Sequence, residues 1–164
     1  MAQLDVFLTL DGIEGESQDA ALSKQMQLMS WSWGLSNDGN FHMGTGGGSG
    51  KVAVQDITVT KRTDIATPSL VQACTKGTHI ATGKLTFRKA GDDPIEYMTI
   101  ELSQILISSI SLGAAGGQDD SLMYETLSLN FAQFVLTYNE QSETGATGAN
   151  AVAKYNMPKN TSKF

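Results

Sequence analysis

Apolar and polar residues alternate along most of this chain with the two-residue period of half-buried strands. Leu4, Val6, Leu8 and Leu10 alternate with Asp5, Phe7 and Thr9, predicting a first strand that ends at Asp11-Gly12. Residues 12–19 are acidic and glycine-punctuated and read as a loop, with one helical turn predicted over residues 20–24. Alternation returns from Gln25 to Leu35, which puts Trp31 and Trp33 on one face and Ser30 and Ser32 on the other. Large rings inward and small hydroxyls outward is the simple reading. Between Lys51 and Lys61 the apolar phase shifts from Val52 and Val54 to Ile57 and Val59, which predicts a bulge at Gln55-Asp56. A short helix follows, with Thr67 as N-cap, Pro68 at the first helical position and Gly77 just past the end. Its residues Leu70, Val71, Ala73 and Cys74 share a face that packs on the sheet.

Lys84–Lys89 predicts another strand, and Gly91-Asp92-Asp93-Pro94 is turn chemistry. Two long strand patterns, Ile95–Leu112 and Ser121–Tyr138, then pair antiparallel across residues 113–120. Each would stretch roughly 60 Å if straight, whereas a compact domain of this size is roughly 40 Å across. They must therefore coil around a barrel or project as an arm. The mixed apolar phases of the second (Met123, Leu127, Leu129, Phe131, then Phe134, Leu136, Tyr138) predict bulged bending. Residues 1–140 form this β domain, and residues 141–164 are a polar tail of the same domain, docked through Tyr155 and Met157.

The stretch left unexplained by alternation is residues 41–50. Phe41 and Met43 sit beside His42 in the most glycine-dense segment, with no periodic pattern to bury them. A connection of that length is generally functional or disordered. It either folds back on its own barrel or is covered by a second copy of the chain.

The totals narrow the function classes. A chain of 164 residues makes one domain, burying roughly 70% of its unfolded surface. The single cysteine, Cys74, can form no internal disulfide, as suits folding in a reducing compartment. The first residues lack a basic n-region and a long apolar h-region, and no apolar run reaches the roughly 18 residues of a membrane span. The expectation is a protein made in the cytoplasm with no membrane insertion. A net charge of -6 gives no reason to bind nucleic acid.

Each near-motif for catalysis fails on its chemistry. Thr45-Gly-Gly-Gly-Ser-Gly-Lys-Val52 imitates a phosphate loop, but Thr45 replaces the first glycine, Val52 replaces the magnesium-binding hydroxyl, and a strand follows where a helix is needed. Ser17 lacks the second glycine of a nucleophile elbow. Asp11, Glu14, Glu16 and Asp19 do not have calcium-loop spacing, and His42, His79 and Cys74 make a poor zinc set. The chain is read as no enzyme, with no metal and no cofactor.

Taken in order, several segments resemble the haemolysin-coregulated protein (Hcp) family of type VI secretion systems. They are Phe7-Leu-Thr-Leu-Asp-Gly-Ile-Glu-Gly-Glu-Ser17, Ser30-Trp-Ser-Trp-Gly34, Lys61 with Asp64, Ala66-Thr-Pro-Ser-Leu70, Ala73-Cys74, Gly77 with His79-Ile80, Arg88-Lys-Ala-Gly91, Ser108-Ser-Ile-Ser111 and Ser128-Leu-Asn-Phe131. Ala20 and Ala21 stand where that family often has a histidine, and the C-terminal segment lacks its frequent tryptophan. The resemblance implies a mainly β fold, a two-sheet antiparallel β-barrel with one short α-helix packed at its side. It also implies homohexameric rings stacked into a secreted inner tube, exported without a cleaved signal peptide. The implied partners are contractile sheath proteins, a tip spike protein and secreted effectors carried in the lumen. On that reading Ser30 and Ser32 face the lumen and contact cargo, while Phe41, His42, Met43, Gly46, Gly47 and Gly48 form the subunit-interface loop. The alternative is a tail tube component of another phage-like contractile particle, without a cargo role.

Overall fold

The computed structural model describes residues 4–39, 51–89, 94–116, 122–141 and 147–164. In chain order the elements are β1 (Leu4–Leu10), β2 (Met26–Ser32), β3 (Leu35–Ser36), β4 (Ala53–Val54), β5 (Ile57–Arg62), α1 (Thr67–Lys76), β6 (Ile80–Lys89), β7 (Glu96–Ala115), β8 (Leu122–Gln141) and β9 (Thr147–Asn156). A seven-stranded sheet runs β5-β2-β1-β6-β7-β8-β9, and β5 pairs again with β8, so the sheet closes into a barrel. β3 and β4 form a small second sheet. The mainly β barrel with one short helix is therefore what the chain forms. β8 serves two partners along one edge: residues 124–129 pair with β5 and residues 133–141 with β9.

Alternation builds the interior. Val6, Leu8 and Leu10 of β1 oppose Phe87, Leu85 and Gly83 of β6. Ile100, Leu102, Ile105 and Ile107 of β7 oppose Leu136, Phe134, Phe131 and Leu129 of β8. Gly83 has a packing reason: a Cβ there would lie 2.7 Å from Ile105 Cδ1 and 3.0 Å from the Thr9 carbonyl oxygen. Phe7 lies on the opposite face of β1 from Val6 and Leu8, yet it is buried. The Arg88 guanidinium stands 4.9 Å from its ring centroid and covers it.

Several local expectations change. No bulge forms at Gln55-Asp56; the strand ends there, and β4 and β5 enter different sheets. The Gln55 N–H donates to the Gly34 carbonyl at 3.0 Å, which holds the break open. No helix forms over residues 20–24. A turn replaces it, because the Asp19 carboxylate accepts both the Ala21 and Leu22 N–H at 3.0 Å. Thr67 is the first residue of α1 and Ala66 its cap. The Thr67 hydroxyl accepts the Asp64 N–H at 3.1 Å, while Asp64 Oδ1 accepts the Ala66 N–H at 2.9 Å. No side chain caps the helix among the described residues, and the Asp64 carboxylate instead holds the turn that leads into it. Gly77 ends the helix in the left-handed region at φ 62 as its position implies. Leu70 and Ala73 join the barrel core, and Cys74 is half-buried against it.

The long hairpin is irregular, but its register shift adds the extra residue to β7, between Ile107 and Ser109, and not to the second pattern, whose mixed phases predicted it. Part of the polar tail, residues 147–156, is β9, whose Tyr155 packs against the core together with Met157.

Candidate functional site

Ser30 and Ser32 are exposed on the outside of β2 because Trp31 and Trp33 pack against the core. The Trp31 ring packs on Phe87 with centroids 4.6 Å apart. Trp33 lies 4.9 Å from Phe134 and 6.1 Å from Phe131, and its Nε1–H donates to the Gln55 carbonyl at 3.0 Å. A register shift between Leu28 and Ser30 restores the inward phase for Trp31. Two rings thus clamp the strand, and Ser32 between them and Ser30 just before them point to solvent.

The serines do not stand alone. Across the β2-β5-β8-β7 part of the barrel, one row of directly opposed residues runs Ser32, Thr58, Ser128, Ser109. The next row runs Ser30, Thr60, Thr126, Ser111. Thr60 and Thr126 hydroxyls lie within hydrogen-bond distance at 3.3 Å. Opposed residues share a face, so these rows form one continuous hydroxyl surface with no charged side chain in either. Sequence reasoning found only its first column. The signal for the rest was present as Thr-x-Thr, Ser-x-Ser and Thr-x-Ser spacings, but linking them needs the register. A third row adds Asp56, whose carboxylate accepts Ser108 Oγ–H at 2.6 Å and Asn130 Nδ2–H at 2.8 Å.

Phe41, His42, Met43, Gly46, Gly47 and Gly48 lie outside the described residues. The feet of their segment are described: Leu35 pairs with Val54 and Ser36 with Ala53. Those feet mark one end of the barrel, since β2 and β5 are antiparallel and Ser32 opposes Thr58 while Leu28 opposes Lys61. Leu35 is 46% exposed at that end. Ile65, Leu112 and Met123, at 66%, 56% and 58%, are exposed at the other. The Thr63 N–H donates to the Met123 carbonyl at 3.1 Å, which brings the β5–α1 corner against the β7–β8 ribbon.

The four carboxylates of the first loop go separate ways. Glu16 accepts the Ile65 N–H at 2.9 Å, Glu14 lies 4.0 Å from Lys24 in solvent, and Asp11 borders a recess of about 600 Å³ with Ile13, Lys76 and His79. Asp19 is bound by the Arg88 guanidinium through two nitrogens, and Asp5 Oδ2 lies 3.6 Å from one of them, Nη2. The Arg88 hydrogen bond, aided by the Leu22 and Ala21 N–H groups and opposed by desolvation, lowers the Asp19 pKa from 3.8 to about 2. Its folded value lies below its unfolded one, so its stabilisation is complete above pH 3.8 and is lost as the pH falls toward 2. Asp19→Asn is expected to remove that part of the acid-unfolding curve followed by circular dichroism. Superimposable curves for both proteins would show that Asp19 does not hold the loop.

Comparison with known proteins places this geometry. Residues 7–138 match the family model described as type VI secretion system effector, Hcp. The chain is 43% identical over 144 residues to protein hcp1 of Pseudomonas aeruginosa, covering 87% of this chain and 88% of that protein. It superposes on Hcp1 from Salmonella typhimurium with a TM-score of 0.79 at 29% identity, covering 98% of this chain and 99% of that one. A structure described as a type six secretion system protein aligns with a TM-score of 0.90 at 24% identity over 97% and 99% of the two chains.

Proposed function

This chain belongs to the Hcp family of the type VI secretion system, and from that premise we propose that it is a structural subunit that closes into homohexameric rings. The rings stack into a secreted inner tube, sheath proteins surround it, a spike protein tips it, and effectors travel inside. The hydroxyl surface carries this reading. A tube wall that passes polypeptides needs hydrogen-bonding capacity without deep pockets, and two rows of exposed and half-buried serine and threonine supply it. Ser30 and Ser32 then line the lumen.

Ring closure and stacking need different surfaces, because a closed ring uses a heterologous contact whose rotation returns to its start and a stack uses one that does not. The two barrel ends suit stacking, with Leu35 and the feet of the 41–50 segment at one and Ile65, Leu112 and Met123 at the other. Phe41, His42, Met43 and the Gly46–Gly48 run are assigned to contact with a neighbouring subunit. Light scattering and electron micrographs of the pure protein at high concentration test the assembly, with rings expected; a monomer of 17.5 kDa alone would overturn it. Ser32→Gln should leave rings intact and change the retention of co-expressed effectors. Unchanged retention would remove Ser32 from the cargo surface.

A further inference from the structure

We propose that Asp56 makes the hydroxyl surface selective for cationic polypeptide segments, an inference that rests on that surface being lumenal. Asp56 precedes Ile57, which is fully buried, and shares the outward phase of Thr58 and Thr60. It is therefore the next position along the same face. Its two carboxylate oxygens are held by separate neutral donors on separate strands, Ser108 of β7 and Asn130 of β8. Among the described residues it makes no ion pair. The carboxylate is thus fixed in place without being neutralised, and each oxygen keeps lone pairs for a further donor.

A fixed charge beside rows of uncharged hydroxyls biases what approaches, because hydroxyls accept and donate without regard to sign. Repetition around a ring multiplies the bias, since every subunit adds one carboxylate at the same height. The chain's own net charge of -6 acts in the same sense, and a concave wall of one sign concentrates the opposite charge. A lysine or arginine on a passing segment meets Asp56 while its backbone meets serines and threonines. An acidic segment meets the same hydroxyls and is repelled.

The test uses assembled wild-type protein, Asp56→Asn, Ser32→Gln and Glu101→Gln, with labelled oligolysine and oligoglutamate of equal length as probes. Glu101 removes the same charge from β7 at its pairing with Lys84, away from the hydroxyl rows. Light scattering first confirms rings in each. Asp56→Asn is expected to lower oligolysine retention by about fivefold, the upper end for one exposed ion pair, with the loss vanishing at high salt. Oligoglutamate should be poorly retained throughout, and Glu101→Gln should match wild type. Equal oligolysine retention by wild type and Asp56→Asn, with Ser32→Gln altered, overturns the role of Asp56 and leaves the lumenal reading intact. Retention lowered by Glu101→Gln and untouched by both Asp56→Asn and Ser32→Gln places the probe on the outside and overturns the lumenal reading as well.

Discussion

Glu125→Ala should lower the stability of the folded chain by about 3–5 kcal/mol, the usual cost of removing one partner of a buried ion pair. Lys61 and Glu125 oppose each other on β5 and β8, and both are fully buried. The Glu125 carboxylate meets the Lys61 ammonium and no other donor among the described residues. Lys61 Nζ also donates to Asp64 Oδ1 at 2.7 Å and to the Arg62 carbonyl at 2.9 Å. Without Glu125 the ammonium keeps those two partners but loses the one fully buried carboxylate it meets among the described residues. Replacing both partners with apolar side chains, Lys61→Met with Glu125→Leu, should cost far less, because the one charge left without its partner, Asp64, reaches solvent.

The pair also has a positional effect that the apolar variant isolates. Asp64, held by Lys61, accepts the Ala66 N–H and so fixes the corner where β5 turns into α1. In the double variant the barrel should keep its denaturation midpoint while amide exchange quickens at residues 64–67. A Glu125→Ala protein destabilised by less than about 1 kcal/mol would contradict the buried-charge account. A double variant as unstable as Glu125→Ala would mean that packing at this site, not charge, decides.

Much of the barrel was legible because its signal is local. The alternation at Leu4–Leu10, the Trp-Ser-Trp phase and the excess length of the last two patterns each constrain structure without knowledge of a partner strand. What escaped depends on partners distant in sequence. Phe7 sits in a polar phase and reads as exposed until Arg88 arrives from β6 to cover it. The phase shift at Gln55-Asp56 fits a bulge and a strand break equally well, and the choice rests on Gly34 and Trp33, which bond to Gln55 from far upstream. The start of α1 is an exception, since its partner is local: the Thr67 hydroxyl turns back to the Asp64 N–H three residues upstream and leaves the helix without a side-chain cap. The hydroxyl surface is the largest gap. Two serines were visible on β2, whereas the rows across β5, β8 and β7 exist only once register is set.

The second large effect is expected at the point where that surface is anchored. Phe87→Ala should cost about 3–5 kcal/mol, the range for deleting a buried aromatic ring. Phe87 is 1% exposed, opposes Val6 on β1 and Met98 on β7, and supports the Trp31 ring. Removing it leaves a void that barrel strands cannot close by sliding, because a one-residue slip would turn every side chain to the wrong face. Trp31 would lose its tilted partner, so its emission should move toward that of a solvated indole. A double-mutant cycle with Trp31→Ala should show coupling of about 0.5–1.5 kcal/mol, as for other aromatic pairs. The outward serines depend on the same contact, since Trp31 inside is what keeps Ser30 and Ser32 outside. If the hydroxyl rows line the lumen as proposed, Phe87→Ala at a temperature where it remains folded should therefore weaken effector retention, while Phe87→Leu restores most of the stability and the retention together. Retention that stays at the wild-type level in a folded Phe87→Ala protein, despite a shifted Trp31 spectrum, would show that the hydroxyl rows are held by the strand ladder alone and not by the ring beneath them.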